Sequence, residues 1–517
     1  MATIINSFAL AGVNGYLVEV ETKTISGKPS VSIVGLGDTA VKEASERLQA
    51  SLSESGFDFP KMKTVINLAP GSIKKSGSHF DLPMALGLLY QSEQTTIADD
   101  QQLQEYGFIG ELSLNGTIKP CRGVMPMVET ARNVGIKKII LPQRNLKEAQ
   151  LVKGVAVYGF TTLKDVVLYL SGEKEYEPLP ERATELENRD SKKNDIDFID
   201  VVGQDALMQY IVVAAAGGHN MLMIGSPGCG KSMTARRIPT ILPAMTEEES
   251  LEVTKIYSIA GLLQDNESLV FERPFRAPHH NASTNSLVGG GNKAIPGEIT
   301  LAHNGVLFFD EIAEFSKKSL EALRQPMEDH YITVSRVNQT NTYPCKFMLV
   351  AAMNPCPCGY YGTDKCHCSD YKVLQYRQKI SGPIMDRMDI QKYLQPVNFL
   401  ELPADATGYS STELREKVEL ARTIQAERFR DVPRITCNAQ MTPAHVKEFC
   451  SLDPDSIDIL KKAYERFSYS ARSYHKFIKL ARTLADLDQS KEIRRQDMAA
   501  ALLARDLDRD WANMIVV

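Results

Sequence analysis

The sequence predicts an α/β protein whose central unit is a parallel sheet covered by helices on both faces. A smaller α/β unit precedes it and a helical one follows. Three observations predict this. In the middle of the chain the apolar runs MLMIG, VLFFD and FMLVAA, each the length of a strand buried on both faces, are separated by helical segments. Before them, β-rich runs (YLVEVET, SVSIVGL, TVINLAP, GFIGELSL, KKIILP) alternate with helical patterns such as AVKEASERLQASLSESG. After about residue 400 strand signals fade. There SSTELREKVELARTIQAERF opens with a capping box, Ser410 to Glu413, and repeats apolar residues at helical spacing.

At 517 residues the chain is too long for one core. It divides at GEKEYEPLPERATELENRDSKKND, residues 172 to 195, which is charged, carries two prolines and has too few apolar residues to pack. The expected units are 1–171, a linker over 172–196, a core over 197–398 and a helical unit over 399–517. Composition is that of an ordinary soluble protein, 43% hydrophobic and 24% charged. No basic residue precedes Lys23 and no apolar run reaches the ~18 residues that span a bilayer, so no leader or membrane span is expected and the compartment is expected to be the cytosol. Net charge is −5, which argues against a protein basic throughout but leaves room for local phosphate-binding stripes. From Lys461 to Arg495, ten Lys and Arg face four acids. Alone, that stripe reads as a solvated helix face.

GSPGCGKS, residues 225 to 232, matches G-x-x-x-x-G-K-[ST] and follows the apolar run MLMIG. Gly225, Ser226, Pro227, Gly228, Cys229 and Gly230 form the loop whose backbone N–H groups close around phosphates. Lys231 reaches the β and γ oxygens and Ser232 holds Mg²⁺. GVLFFDE supplies the carboxylates this chemistry needs: Asp310 for Mg²⁺, Glu311 to orient and deprotonate water. With no guanine-reading N-K-x-D, ATP is the expected nucleotide. The 78 residues from Ser232 to Asp310 far exceed one βαβ crossover and include the insertion FERPFRAPHHNASTNSLVGGGNKAIPGEI. Beyond Glu311, YITVSRVNQTNTYPCKF alternates, turns at NQTN and alternates again, a β-hairpin.

Four of the nine cysteines, Cys356, Cys358, Cys366 and Cys368, form C-x-C-x₇-C-x-C. In a reducing compartment such a cluster points to structural zinc, although the one-residue gaps are tight and His367 is an alternative ligand. Free thiols and redox chemistry are the other readings. The remaining five cysteines are scattered and receive no assignment.

The stretches FRAPHH, GGG…PGEITLAHNGVLFFDE, LRQPMEDH, NPCPCG, SGPIMDRMDI and SARSYHKFIKLARTLADL closely resemble the ComM/YifB family. That family is a magnesium-chelatase-like branch of the helix-2-insert AAA+ ATPases. The resemblance implies a AAA+ core with a helical lid, and a homo-hexameric ring. It also implies that Asn354 is the sensor 1 residue, Arg387 an arginine finger acting on the neighbouring subunit's ATP, and Arg472 the sensor 2 arginine. The implied activity is ATP-driven helicase and branch migration on single-stranded or branched DNA, in recombination of incoming DNA during natural transformation. The pore elements would be the hairpin and the insertion, with Arg273, Arg276, Lys293, Arg336 and Lys346 as candidate phosphate contacts.

The first unit resembles the Lon-protease C-terminal fold (S5 domain 2-like). Where Lon proteases carry the serine nucleophile this chain has His79, or Ser78 with a one-residue slip, and Met125 stands about where the catalytic lysine belongs. Methionine offers no amine, so a fold without proteolysis is expected. Two alternatives to a DNA motor remain: a magnesium-chelatase-like motor acting on a protein partner, and an ATP-dependent protease.

Overall fold

The computed structural model describes residues 2–95, 102–179, 196–263, 269–290, 295–336, 339–394, 408–433, 435–467, 469 and 471–507. The central sheet has five strands in the order Phe275–Arg276, Val306–Phe309, Met348–Met353, Met221–Ile224, Ile390–Tyr393, every neighbouring pair parallel. The three middle strands are the apolar runs read from the sequence, buried along their whole length. Their side chains alternate between two cores, as a period of two requires. Leu222, Ile224, Leu307, Phe309, Leu349 and Ala351 enter one core with Ile299, Leu320 and Ile384. Met221, Met223, Val306, Phe308, Val350 and Ala352 enter the other. Continuous burial on both faces is what makes these runs uniformly apolar.

The second core also contains the helical C-terminal unit. Leu414, Val418 and Ala421 of helix Ser411–Arg428 pack there with Phe477, Leu480, Ala481 and Leu484 of helix Ala471–Leu487. The capping box is formed as read: Ser410 Oγ accepts from the Glu413 amide at 3.2 Å and the Glu413 carboxylate accepts from the Ser410 amide at 3.1 Å. The basic stripe is not a uniform solvated face. Arg482 is 1% exposed and holds Asp486, while Lys476 and Lys479 turn inward toward the end of the sheet. The pattern failed there because helix Ala471–Leu487 is packed on several sides.

The N-terminal unit is a seven-stranded mixed sheet in the order Ser30–Val34, Lys63–Ala69, Asn14–Ile25, Thr3–Ala11, Tyr106–Phe108, Lys138–Pro142, Ala156–Phe160. Helices Asp81–Gln91 and Val124–Asn133 pack against it. It ends later than residue 171. Tyr176 packs on Phe160 with ring centroids 4.7 Å apart and donates to Asp165 at 2.9 Å, so the first residues of the charged run belong to this fold. Residues 180–195 of the predicted linker lie outside the described residues.

The two units meet along helix Glu247–Ala260. Lys255 Nζ pairs with Glu129 at 2.7 Å, the Gly123 amide donates to the Ser258 carbonyl at 3.1 Å, and the Ser258 hydroxyl donates to Glu148. Glu148 also accepts from the Met125 amide at 2.9 Å and from Asn145, and burial pushes its carboxyl above the usual range. No helix among the described residues is long and apolar enough to cross a membrane.

Candidate nucleotide site

In a parallel sheet all strands point their C-terminal ends the same way, and the crevice beyond those ends is where ligands bind. Three adjacent strands deliver the predicted residues to one such crevice. After Ile224 the chain turns through Gly225–Gly230 and enters helix Lys231–Ile241. Gly228 and Gly230 take φ of 80° and 90°, a left-handed conformation that costs glycine little. Lys231 Nζ donates to the Gly225 carbonyl at 2.7 Å and the Ser226 carbonyl at 3.0 Å, and lies 3.3 Å from Asn354 Oδ1. Ser232 Oγ donates to Asp310 Oδ2 at 2.6 Å. That contact joins the start of this helix to the end of strand Val306–Phe309, two places along the sheet, and brings the two oxygens together.

Glu311 follows with φ of 50°, the left-handed region rarely used by a side-chain-bearing residue. Its amide is anchored on Asp310 Oδ1 at 3.0 Å, and its half-exposed carboxylate lies 3.8 Å from His280 Nδ1. His280 belongs to FRAPHH, which the strand Phe275–Arg276 carries to the sheet end beside Val306–Phe309. The motif had been legible, but not that His280 faces Glu311. Pairing of distant strands decides that.

The four sulfurs gather immediately after Asn354. Cys356 lies 3.3 Å from Cys358 and 3.9 Å from Cys366, Cys358 lies 3.7 Å from Cys366, and all four ligand atoms fall within 4.8 Å of one another. Tetrahedral zinc with bonds of about 2.3 Å sets its sulfurs about 3.8 Å apart, so this set fits the ion. His367 is not among the four. Backbone hydrogen bonding from Tyr360 and a contact with Cys356 bring the Cys358 thiol down to about 6. The loop also leans on the phosphate loop. A Cβ on Gly359, whose φ is 85°, would stand 2.7 Å from Pro227 Cδ.

Arg387 stands elsewhere. Its carbonyl accepts from Asn220 Nδ2 at 3.1 Å, just before the strand Met221–Ile224 begins, whereas the phosphate loop follows where that strand ends. Four residues of strand, ~13 Å, separate the two levels. The guanidinium, 11% exposed, pairs with Glu328 and donates to the Pro383 carbonyl at 2.5 Å. Arg472 lies on helix Ala471–Leu487 with its side chain outside the described residues.

The candidate phosphate contacts separate into different places. Arg276 is clamped by both oxygens of Glu298 at 2.6 and 2.8 Å. Arg273 donates to the carbonyls of Pro243 at 2.6 Å and Asn304 at 2.7 Å, and to Glu249 at 2.9 Å. Lys346 donates to Thr436 Oγ1 at 3.0 Å, toward the helical unit. These three side chains are committed within the chain, and sequence alone had no means to show their partners. Lys293 lies outside the described residues. Arg336 ends the first hairpin strand, Tyr331–Arg336, which pairs antiparallel with Gln339–Pro344; its side chain is not among the described atoms. The strands pair as far as Arg336 with Gln339, so Gln339, Thr340 and Asn341 of NQTN sit inside the second strand, and residues 337 and 338 lie outside the described residues.

No serine–lysine pair stands at the Lon-like locus. Ser78 donates to Glu111, His79 Nε2 lies 2.8 Å from the Phe8 carbonyl, and Met125 is buried among Val124, Val128 and Ile139. The buried Lys75 donates to the Pro70 carbonyl.

Comparison with known proteins agrees with this architecture. Family models match residues 197–402 (magnesium chelatase, subunit ChlI), 20–145 (subunit ChlI of Mg-chelatase) and 408–505 (the C-terminal part of that subunit). The chain is 39% identical over 505 residues to competence protein ComM of Haemophilus influenzae, covering 96% of each protein. It is 38% identical over 510 residues to YifB of Escherichia coli, covering 98% of this chain and 97% of the relative. A weaker similarity, 28% over 186 residues and 32% of this chain, joins it to Lon protease 2 of Bacillus subtilis. Phosphate loop, acidic pair, helical lid and full-length similarity converge: the chain belongs to the ComM/YifB family of magnesium-chelatase-like AAA+ proteins.

Proposed function

We propose that this protein is an ATP-driven ring motor that moves on DNA, in helicase or branch-migration steps of recombination or natural transformation. One observation carries the hydrolytic part. The ends of three parallel strands place Lys231, Ser232, Asp310, Glu311 and Asn354 in one crevice, while Arg387 stands at the opposite end of the same sheet. A chain with its finger arginine so far from its own phosphate loop is suited to completing a neighbour's site, which closed rotational symmetry provides; AAA+ rings are usually hexamers.

Within the site, Ser232 and Asp310 would hold Mg²⁺, which supplies charge neutralisation at the β and γ oxygens when bound with ATP. Lys231, its charge now resting on two loop carbonyls, exchanges them for phosphate oxygens. Asn354 orients the attacking water and Glu311 takes its proton.

DNA as the track is supported by the name of the H. influenzae relative, a competence protein, and by the hairpin, whose face bearing Thr333, Ser335, Thr340 and Thr342 is exposed. With three candidate cations committed elsewhere, Arg336 is the principal contact proposed, together with Lys293. Phosphate contacts of this kind give affinity without sequence preference. The test is the ATPase rate with no DNA and with single-stranded, duplex and branched DNA. DNA should raise the rate severalfold, and Arg336→Ala should remove most of that rise while sparing the basal rate. A rate indifferent to all three DNAs would reject the DNA reading and favour a protein-remodelling motor.

The four sulfurs are proposed to hold one structural zinc that fixes the loop against Pro227. Purified protein should contain about one zinc per chain, released by a thiol-modifying reagent. Metal analysis finding none, with all four thiols freely reactive, would reject the site.

A further inference from the structure

Val13 stands where its own turn has no use for it. Strands Thr3–Ala11 and Asn14–Ile25 pair as far as Ala11 with Asn14, so Gly12 and Val13 alone make the connection. Gly12 takes φ of 65°, the glycine-first form of a two-residue hairpin turn, and such turns favour a small polar residue in second place. Val13 is instead β-branched, apolar and only partly buried. Its reason lies outside the first unit. Val13 packs against the core that holds Ile332, Val334 and Tyr343, the inward side chains of the hairpin, together with Leu287 of the insertion. Gly12 is buried against the second hairpin strand. A Cβ there would stand 3.2 Å from the Thr342 carbonyl oxygen and 3.7 Å from Asn341 Cβ.

A two-stranded ribbon is marginal by itself and needs packing on one face. This one keeps Thr333, Ser335, Thr340 and Thr342 exposed, so it is held from its inward face and by the turn at Gly12 and Val13. The first unit also grips the approach to the insertion. Helix Glu247–Ala260 ends at Gly261, and the Arg122 side chain lies over that end: a Cβ on Gly261 would stand 2.5 Å from Arg122 Nε. A cation at the carbonyl end of a helix is favoured by the helix dipole. With the bonds from Gly123 to the Ser258 carbonyl and from Ser258 to Glu148, the core helix docks on the segment around Met125. Where a Lon protease would carry its lysine, this unit has a docking surface.

We propose that the first unit is a brace for the two elements assigned to DNA, with Val13 positioning the hairpin so that DNA on its outward face is coupled to ATP turnover. This rests on the DNA reading above. Val13 touches neither the nucleotide crevice nor the outward face; it acts through the hairpin. The path onward is short and fully packed. The core that Val13 meets also contains Phe309 and Met353, the residues directly before Asp310 and Asn354.

The experiment uses the full chain with Val13→Ser, which suits the turn and removes the apolar contact, and Val13→Ile, which keeps it. Amide exchange of the hairpin strands without DNA should be about tenfold faster in Val13→Ser and close to the parent in Val13→Ile. Strands Thr3–Ala11 and Asn14–Ile25 should keep their protection; if Val13→Ser exposes them, Val13→Thr, of the same shape, replaces it in every arm. DNA-free ATP turnover should stay close to that of the parent. Val13→Ser should lose most of the severalfold rise given by single-stranded or branched DNA, and Val13→Ile should keep it. Faster hairpin exchange with an undiminished rise would show a packing contact without a part in coupling. Unchanged exchange and rise would show that the hairpin stands without the turn. An equal fall in turnover with and without DNA would make Val13 a matter of core stability. Each of these overturns the brace while leaving the DNA reading in place. A parent rate indifferent to every DNA would instead remove the DNA reading, and the brace with it.

Discussion

Glu311→Gln should bind ATP as tightly as the parent and hydrolyse it roughly 10²–10⁴ times more slowly, the usual contribution of a positioned general base. The amide keeps the shape of the carboxylate but cannot accept the proton from the attacking water. The residue is poised for that task. Its half-exposed carboxylate faces His280 at the sheet end, and its backbone is held at φ 50° with the amide anchored on Asp310. Binding should be untouched because the phosphate contacts are proposed to come from Lys231, Ser232 and the loop amides. Lys231→Ala should do the reverse and lose tight nucleotide binding. The measurement is nucleotide retention on a filter beside single-turnover hydrolysis. Normal turnover in Glu311→Gln would remove Glu311 as the base, and weak binding in that variant would mean that it also shapes the pocket.

The residues that meet at the proposed nucleotide crevice could be picked out from the sequence because each part is a local signal. A glycine-rich loop after an apolar strand, and an acidic pair after another, carry their chemistry in adjacent residues, and parallel pairing then brings the strand ends together. The four cysteines were legible for the same reason, since a short loop is enough to collect them. What remained hidden depends on partners distant in sequence. Nothing near Arg276 announces Glu298, 22 residues away, and nothing near Lys346 announces Thr436, 90 residues away. The stripe from Lys461 misled because charge pattern alone does not show which side of a helix other elements cover. Lys476 and Lys479 look like surface lysines until Asp389 and the sheet end are placed against them. The boundary near residue 171 slipped because Tyr176 is a single aromatic in a charged run, and only its seat on Phe160 makes it structural.

Arg387→Ala should nearly abolish hydrolysis while leaving ATP affinity close to that of the parent. An arginine on the transferring phosphoryl group stabilises charge that develops in the transition state, and such fingers are worth ~10³–10⁵ in rate. Affinity should survive because Arg387 cannot reach its own phosphate loop from the far end of the strand Met221–Ile224. The arrangement also predicts how the defect is repaired. Arg387→Ala retains an intact phosphate loop, and Lys231→Ala retains an intact finger. In rings formed from equal amounts of the two, about a quarter of the interfaces join one to the other, so activity should return when two inactive preparations are mixed. Neither preparation should recover when diluted with buffer alone. If subunits demonstrably exchange and no activity returns, either the finger acts within its own chain or hydrolysis requires several intact neighbours at once. The first of these conflicts with the ~13 Å of strand between Arg387 and the loop, so silence in the mixture would point to cooperation between consecutive sites. Full activity in Arg387→Ala alone would remove the residue from the mechanism.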